Sequence, residues 1–186
     1  MELMPALRLG LLIGWLLMVP LVLADGILFL VFPKEIVARL WDRSGWSQKQ
    51  VAYTVLGKLF ALITIALLVL TPLKLGSPVF IAGVALVALG VAGVVKALFD
   101  FRNTPLGQPV TRGVYRISRH PQIVSASLVI LGATIAIGSW TALLALVAAR
   151  ALSHFSILAE EEACLRQYGE PYRAYLERVP RYFVFF

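Results

Sequence analysis

The sequence predicts an all-α integral membrane protein with five transmembrane helices, the last two forming a short helical hairpin, followed by a cytoplasmic C-terminal amphipathic helix. Three observations predict it. Hydrophobic residues make up 60% and charged residues only 15% of the 186 positions, with a mean hydropathy of +0.85, which is too apolar for a surface facing water. The apolar residues fall in long blocks rather than in amphipathic alternation. The basic residues collect in alternate loops between those blocks, as membrane topology requires.

Residues 9–32, 51–73 and 79–99 are each 21 to 24 residues long. At about 1.5 Å per residue each can cross a hydrocarbon core of roughly 30 Å as a helix. Val22-Leu23-Ala24 resembles a small-residue cleavage site, but the segment before it is scarcely basic and the apolar run resumes at Ile27, so the expectation is a retained helix. Asp25 is then a carboxylate within the first span, and its position favours interfacial placement over chemistry. Between the first two spans, Ile36, Val37, Leu40 and Trp41 share one helical face and Lys34, Arg39 and Arg43 take the others, the pattern of a helix at headgroup level. Ser47 and Gln50 form a capping box opening the second span. Lys58 and Lys96 can extend their stems toward the interface and carry no functional assignment.

The apolar stretch 123–157 is too long for one span and breaks at Gly138-Ser139, where a tight helical hairpin is expected to turn. Gly132, Ala133, Ala136, Ala145, Ala148 and Ala149 would let it pack closely against neighbouring helices. Lys34, Arg39, Arg43, Lys49, Arg102, Arg112, Arg116, Arg119, Arg166, Arg173, Arg178 and Arg181 all fall on one side of this five-span layout, against Arg8 and Lys74 on the other. The N-terminus is therefore expected outside and the C-terminus in the cytoplasm. The net charge of +7 is thus a topology signal rather than a nucleic-acid footprint, and the lone Cys164 matches neither a disulfide framework nor a metal spacing.

Polar residues gather against this trend in two segments on the cytoplasmic side. The loop 100–122 carries Asp100, Arg102, Asn103, Thr104, Tyr115, Arg116, Ser118, Arg119 and His120, and closes on Pro121, a residue suited to the first turn of the fourth span. The free amides of that helix start would face the loop, a setting for an anionic group. The second segment, 160–186, opens with Glu160, Glu161 and Glu162. Within it Leu165, Tyr168, Tyr172, Tyr175 and Val179 recur at spacings of three and four, with a break at Gly169 and a helix start at Pro171. Such a tail reads either as an interfacial anchor, in which case the Tyr175 hydroxyl is dispensable, or as the cover of a site. Glu160 and Glu161 read either as solvated helix-end charges or, with Arg119 and His120, as binders of a zwitterion.

The motif Gly113-Val114-Tyr115-Arg116-Ile117-Ser118-Arg119-His120-Pro121 resembles the Gly-x-Tyr-x-x-x-Arg-His-Pro motif of the isoprenylcysteine carboxyl methyltransferase and phospholipid methyltransferase superfamily. Glu160-Glu161, Tyr168-Gly169, Tyr172, Tyr175 and Val179-Pro180-Arg181 follow the second motif of that group, with Tyr168 in place of its usual Phe. The resemblance covers about residues 100–186 and implies S-adenosylmethionine as methyl donor, leaving as S-adenosylhomocysteine, and a lipophilic acceptor arriving from the bilayer. On that resemblance Tyr115, Arg119, His120, Pro121, Glu160, Glu161 and Tyr172 are the expected cofactor-binding residues, and Arg119 and Glu161 the expected catalytic ones. No metal and no nucleic acid is expected.

The acceptor stays open between an isoprenylcysteine-type carboxylate, a phospholipid amine and a smaller lipophilic thiol or acid. Arg150 and His154 read either as pocket residues or as helix-packing ones. The resembling motif continues with a Tyr where this chain has Ile123. Two other functions stay open as well: a nicotinamide-dependent membrane reductase of the sterol-reductase type, and a non-catalytic membrane scaffold. Residues 1–99 are expected to supply three helices and the interfacial loop helix, and residues 100–186 the catalytic region, within a single integrated domain.

Overall fold

The structure, a computed structural model, describes residues 1–8, 12–40 and 46–183. Among these residues the chain is all-α, with seven α-helices: α1 Val19–Val31, α2 Lys34–Leu40, α3 Gln48–Leu70, α4 Pro78–Arg102, α5 Pro121–Ile137, α6 Trp140–Tyr168 and α7 Glu170–Arg178. The expected starting point of the first span, Leu9, and the loop residues Trp41 and Arg43 lie outside the described residues.

Three helices, α3, α4 and α6, are long and apolar enough to cross a membrane, while α1 and α5 are shorter apolar helices. Leu30, Leu62, Ile81, Leu89 and Leu144 are exposed on the outer faces of these helices. Such a continuous apolar exterior belongs against lipid tails rather than water. The chain is a multi-pass membrane protein.

The first segment departs from the expected continuous helix over 9–32. A short 3-10 helix, Gly14–Leu17, precedes α1, which has a proline, Pro20, in its first turn. Pro20 lacks an N–H and its ring crowds the preceding turn, so the α-helix starts there rather than running through it. The chain before it is instead tied to the end of α3: Arg8 N–H donates to Leu70 O at 2.7 Å and Gly14 N–H to Thr71 O at 2.9 Å. A Cβ on Gly14 would collide with the Leu68 carbonyl, so only glycine permits this approach.

The capping box forms as expected, with Ser47 Oγ accepting from Gln50 N–H at 3.3 Å and Gln50 Oε1 accepting from Ser47 N–H at 2.7 Å. Helix α3 stops at Leu70, short of the expected 73, because Pro72 disfavours helical geometry in the residue before it. The hairpin turns where the sequence places it. Gly138 closes α5 in the left-handed conformation at φ +67°, and Ser139 Oγ caps α6 by accepting from Ala142 N–H at 3.2 Å. The second arm is longer than the expected short helix, since α6 continues unbroken to Tyr168 and carries Glu160–Glu162 within it rather than at its end.

Packing is pairwise, α4 along α5 and α3 along α6, with α1 against α4 and α5 against α6. The α4–α5 seam is made of small residues. A Cβ on Gly83 would meet Gly132 O at 2.5 Å, one on Gly90 would meet Val129 N at 2.7 Å, and one on Gly132 would meet Gly83 O at 2.6 Å. In a membrane, where burying apolar surface drives little, this backbone proximity is what holds two helices together. Of the small residues expected to pack inward, Gly132, Ala133, Ala136 and Ala149 are buried, while Ala145 and Ala148 are partly exposed.

Candidate functional site

All the polar motifs meet at one end of the bundle, where α3 and α5 begin and α4 and α6 end. Asp100, in the last turns of α4, anchors the loop motif: its carboxylate accepts from Val114 N–H at 2.9 Å and pairs with Lys96. Gly113 sits at φ +58° directly over that carboxylate, and a Cβ there would overlap it. The glycine of the motif is thus required twice, by the left-handed backbone and by space. A short 3-10 turn, Gly113–Arg116, then carries Tyr115 inward, and the chain reaches α5 with Pro121 in its first turn and no side chain capping it.

The C-terminal segment closes over this loop. Arg119 N–H donates to Pro180 O at 3.0 Å, and Ser118 Oγ–H donates to Arg181 O at 2.8 Å. Tyr175 is 3% exposed and its hydroxyl donates to Tyr115 O at 2.7 Å. Burial pushes the hydroxyl pKa of Tyr115, Tyr172 and Tyr175 up, so all three stay protonated and available as donors. Of the two readings of the tail, these contacts favour the cover of a site. The apolar face of α7 packs on Cys164, Leu165 and Tyr168 of α6, because the break at Gly169 folds the last helix back onto its predecessor.

Glu161 is the hub. Its side chain is 7% exposed and meets Arg119, His120 and Arg181. Arg181 Nη2 donates to Oε2 at 2.7 Å and Arg181 Nε to Oε1 at 3.0 Å, His120 Nε2 lies 3.2 Å from Oε1, and Arg119 Nε lies 3.3 Å from it. The Arg119 contact is an ion pair without hydrogen-bond geometry, and Arg119 Nε is left buried with no hydrogen-bond partner. Glu160, one residue earlier, points elsewhere. Its side chain is 53% exposed, 3.8 Å from His120 Nδ1.

A cavity of about 1250 Å³ opens beside this hub. Pockets holding drug-sized ligands run to ~1,000 Å³, so this one has room for more than a single small molecule. Of the expected cofactor-binding residues, Tyr115, Arg119, His120, Glu160 and Tyr172 line it. Pro121 is buried at the start of α5, and Glu161 stands behind the wall. Arg150 and His154 line a second cavity instead, and Asp25 lines neither.

Four lining or supporting residues were not anticipated. Gln122 lines the cavity with its Nε2 buried and without a hydrogen-bond partner. Arg39 of α2 bonds the carbonyls of Gln108 and Pro105, reaches the Tyr168 hydroxyl at 3.3 Å and lies over the Phe101 ring. Helix α2 is therefore a wall of the cavity as well as the amphipathic helix its pattern suggests. Arg181 belongs to the second motif, yet only its contact with Glu161 reveals its part, and Cys164 lines the cavity from α6. No sequence signal marked Arg39, because its partners lie more than sixty residues away.

Arg119 and Gln122, lining one cavity beside the exposed carboxylate of Glu160, are a donor set suited to a zwitterion. This fits the amino-acid end of S-adenosylmethionine. No curated protein and no solved structure matches the chain. Residues 54–171, well over half of the sequence, match the family model described as phospholipid methyltransferase, a span that includes Tyr115, the Arg119-His120-Pro121 turn, Glu160 and Glu161. The chain belongs to the phospholipid methyltransferase family, enzymes that use S-adenosylmethionine as methyl donor.

Proposed function

We propose that the protein transfers a methyl group from S-adenosylmethionine to the amine of a phospholipid headgroup, in the cavity between α2, the 113–120 loop, α6 and α7. The observation that carries this reading is that Arg119 and Gln122, a cation and an amide, line one cavity together with the exposed carboxylate of Glu160. Arg119 and Gln122 would hold the carboxylate of the donor and Glu160 its ammonium group. Tyr115 and Tyr172 would flank its adenosine portion, with His120 and Pro121 shaping the helix start beneath. When bound, the donor supplies an electrophilic methyl group on a sulfonium. The contribution of the chain is orientation and exclusion of water. Glu161, engaged on both oxygens, acts as a positioning residue that holds Arg119, His120 and Arg181 in register rather than as a base.

Five crossings support this placement. Helix α1 is ~20 Å long, its 3-10 lead-in adds ~8 Å, and α5 is ~26 Å, so each reaches most of the way across a thinned hydrocarbon layer. The basic excess on the cavity side puts that side and the C-terminus in the cytoplasm, with the N-terminus outside. In this reading residues 1–99 and 100–186 form one domain, which the packing of α3 on α6 and of α4 on α5 supports.

Calorimetry with S-adenosylhomocysteine on the detergent-solubilised chain tests the donor site. Wild type is expected to bind, with Glu160→Gln and His120→Ala each weakening affinity by about tenfold. Equal affinity in all three proteins would overturn the assignment. Transfer of labelled methyl to phosphatidylethanolamine, and not to an isoprenylated cysteine carboxylate, tests the acceptor.

A further inference from the structure

A second cavity, of about 380 Å³, lies deeper along the same helix pair, between α5 and α6. Ile123, Val124, Ala151 and Ile157 make its aliphatic wall. The rest of the lining is Ser127 from α5, Arg150, Ser153 and His154 from α6, and Tyr182 from the C-terminal segment. Among the described residues, Arg150 is the one formal cation in the wall, and no carboxylate lines it. Arg150 Nη1 donates to Ser127 Oγ at 3.3 Å, and Ser127 Oγ–H in turn donates to Ile123 O at 2.6 Å. Arg150 Nε is buried and has no hydrogen-bond partner. His154 Nδ1 and the Tyr182 hydroxyl, 2.9 Å apart, close the far side.

A guanidinium within a membrane helix pair is costly unless an anion meets it, and here only a hydroxyl does. The position of this cation is informative. Ile123 lines both cavities, so it stands between them. Ser127, which receives Arg150, is one helical turn further into the bundle, a rise of ~6 Å.

We propose that the cavity at Arg150 is the acceptor subsite, in which Arg150, supported by Ser127, binds the phosphodiester of an amine-bearing glycerophospholipid and presents its nitrogen past Ile123 to the donor cavity. The proposal rests on the reading above that the acceptor is a phospholipid amine. It gives Arg150 the role of selecting phosphate-bearing amines over amines of equal chain length that lack phosphate.

The test is binding of dihexanoyl phosphatidylethanolamine to the full chain in detergent, with and without S-adenosylhomocysteine, for wild type, Arg150→Gln, Arg150→Lys and Ser127→Ala. A long-chain alkylamine and a fatty acid serve as phosphate-free probes. Arg150→Gln is expected to weaken the phospholipid by about tenfold or more, and Arg150→Lys and Ser127→Ala by less. Alkylamine and S-adenosylhomocysteine affinities are expected to stay unchanged. Unchanged phospholipid affinity in Arg150→Gln overturns the subsite. So does an equal loss for the alkylamine, or a preference of wild type for the fatty acid. Should Arg150→Gln unfold, Arg150→Lys and Ser127→Ala decide by the same criterion. Failure of wild type to bind S-adenosylhomocysteine would sink the donor reading alone, since the phospholipid arm without it still reads the subsite.

Discussion

Arg181 and Glu161, twenty residues apart in sequence, meet through two guanidinium nitrogens and both carboxylate oxygens, the shortest contact being 2.7 Å. This fork joins the C-terminal segment to α6 at the point where Arg119 and His120 reach the same carboxylate. One pair thus sets both the cover of the cavity and the position of the side chains that line it.

Arg181→Ala is expected to leave Glu161 short of its principal partner and to free the C-terminal segment. The cost is about 3 kcal/mol, the scale of breaking a buried ion pair, with loss of S-adenosylhomocysteine binding. Arg181→Lys keeps the charge without the planar fork and should recover only part of both. Thermal unfolding in detergent alongside calorimetry reads the two effects, and a fully stable, fully binding Arg181→Ala would refute the role of the fork.

Tyr175→Phe removes one hydroxyl from a buried ring and leaves the carbonyl of Tyr115 without its donor. A destabilisation of about 1–2 kcal/mol follows, together with weaker donor binding, because Tyr115 loses its backbone tie. A lipid-facing tyrosine would show neither change.

Gly113→Ala puts a methyl group into the Asp100 carboxylate at a positive φ. The strain is about 1–2 kcal/mol from the left-handed backbone alone, and the overlap adds to it by displacing Asp100 from Val114 N–H. The expected readout is lower thermal stability and a shifted 113–120 loop, seen as lost donor affinity. Gly76→Ala, also at positive φ but with open space around it and outside both cavities, should cost stability without touching affinity.

Gly132→Leu should separate α4 from α5, since even a Cβ there would meet Gly83 O at 2.6 Å and Val87 N at 2.8 Å. The result expected is aggregation or loss of the folded chain on extraction. Ala145→Leu, at a partly exposed position on α6, should be extracted normally. Size-exclusion profiles of the two variants distinguish a tight seam from a loose one.

The fold was legible wherever the signal is local. The caps at Ser47 and Ser139, the turn at Gly138, the proline starts at Pro121 and Pro171 and the break at Gly169 each depend on a few neighbouring residues, and each occurs where the pattern places it. The first segment was misread because its apolar run counts equally well for a continuous helix. What interrupts it is Pro20 together with pairing to Leu70–Leu73, and that pairing is invisible in composition.

The site divides the same way. Arg119, His120 and the acidic pair were legible as motif residues because their types and spacing repeat a recognised pattern. Which of the two carboxylates faces the cavity was not legible. Adjacent residues on a helix differ by about 100° in direction, and only the approach of Arg181 and Arg119 from other segments buries Glu161 and leaves Glu160 open.

By itself, then, the sequence determined a membrane protein built of apolar helices, the caps and breaks at Ser47, Pro121, Gly138-Ser139 and Gly169, and the side on which its charge collects. These follow from transfer energies and backbone preferences that act within a turn or two. Tertiary structure alone decided that α2 walls the cavity through Arg39, that the tail closes over the 113–120 loop, and that Arg150 and Ile123 share a second cavity beside the first. Those outcomes depend on contacts between residues far apart in the chain, whose distances no local preference encodes.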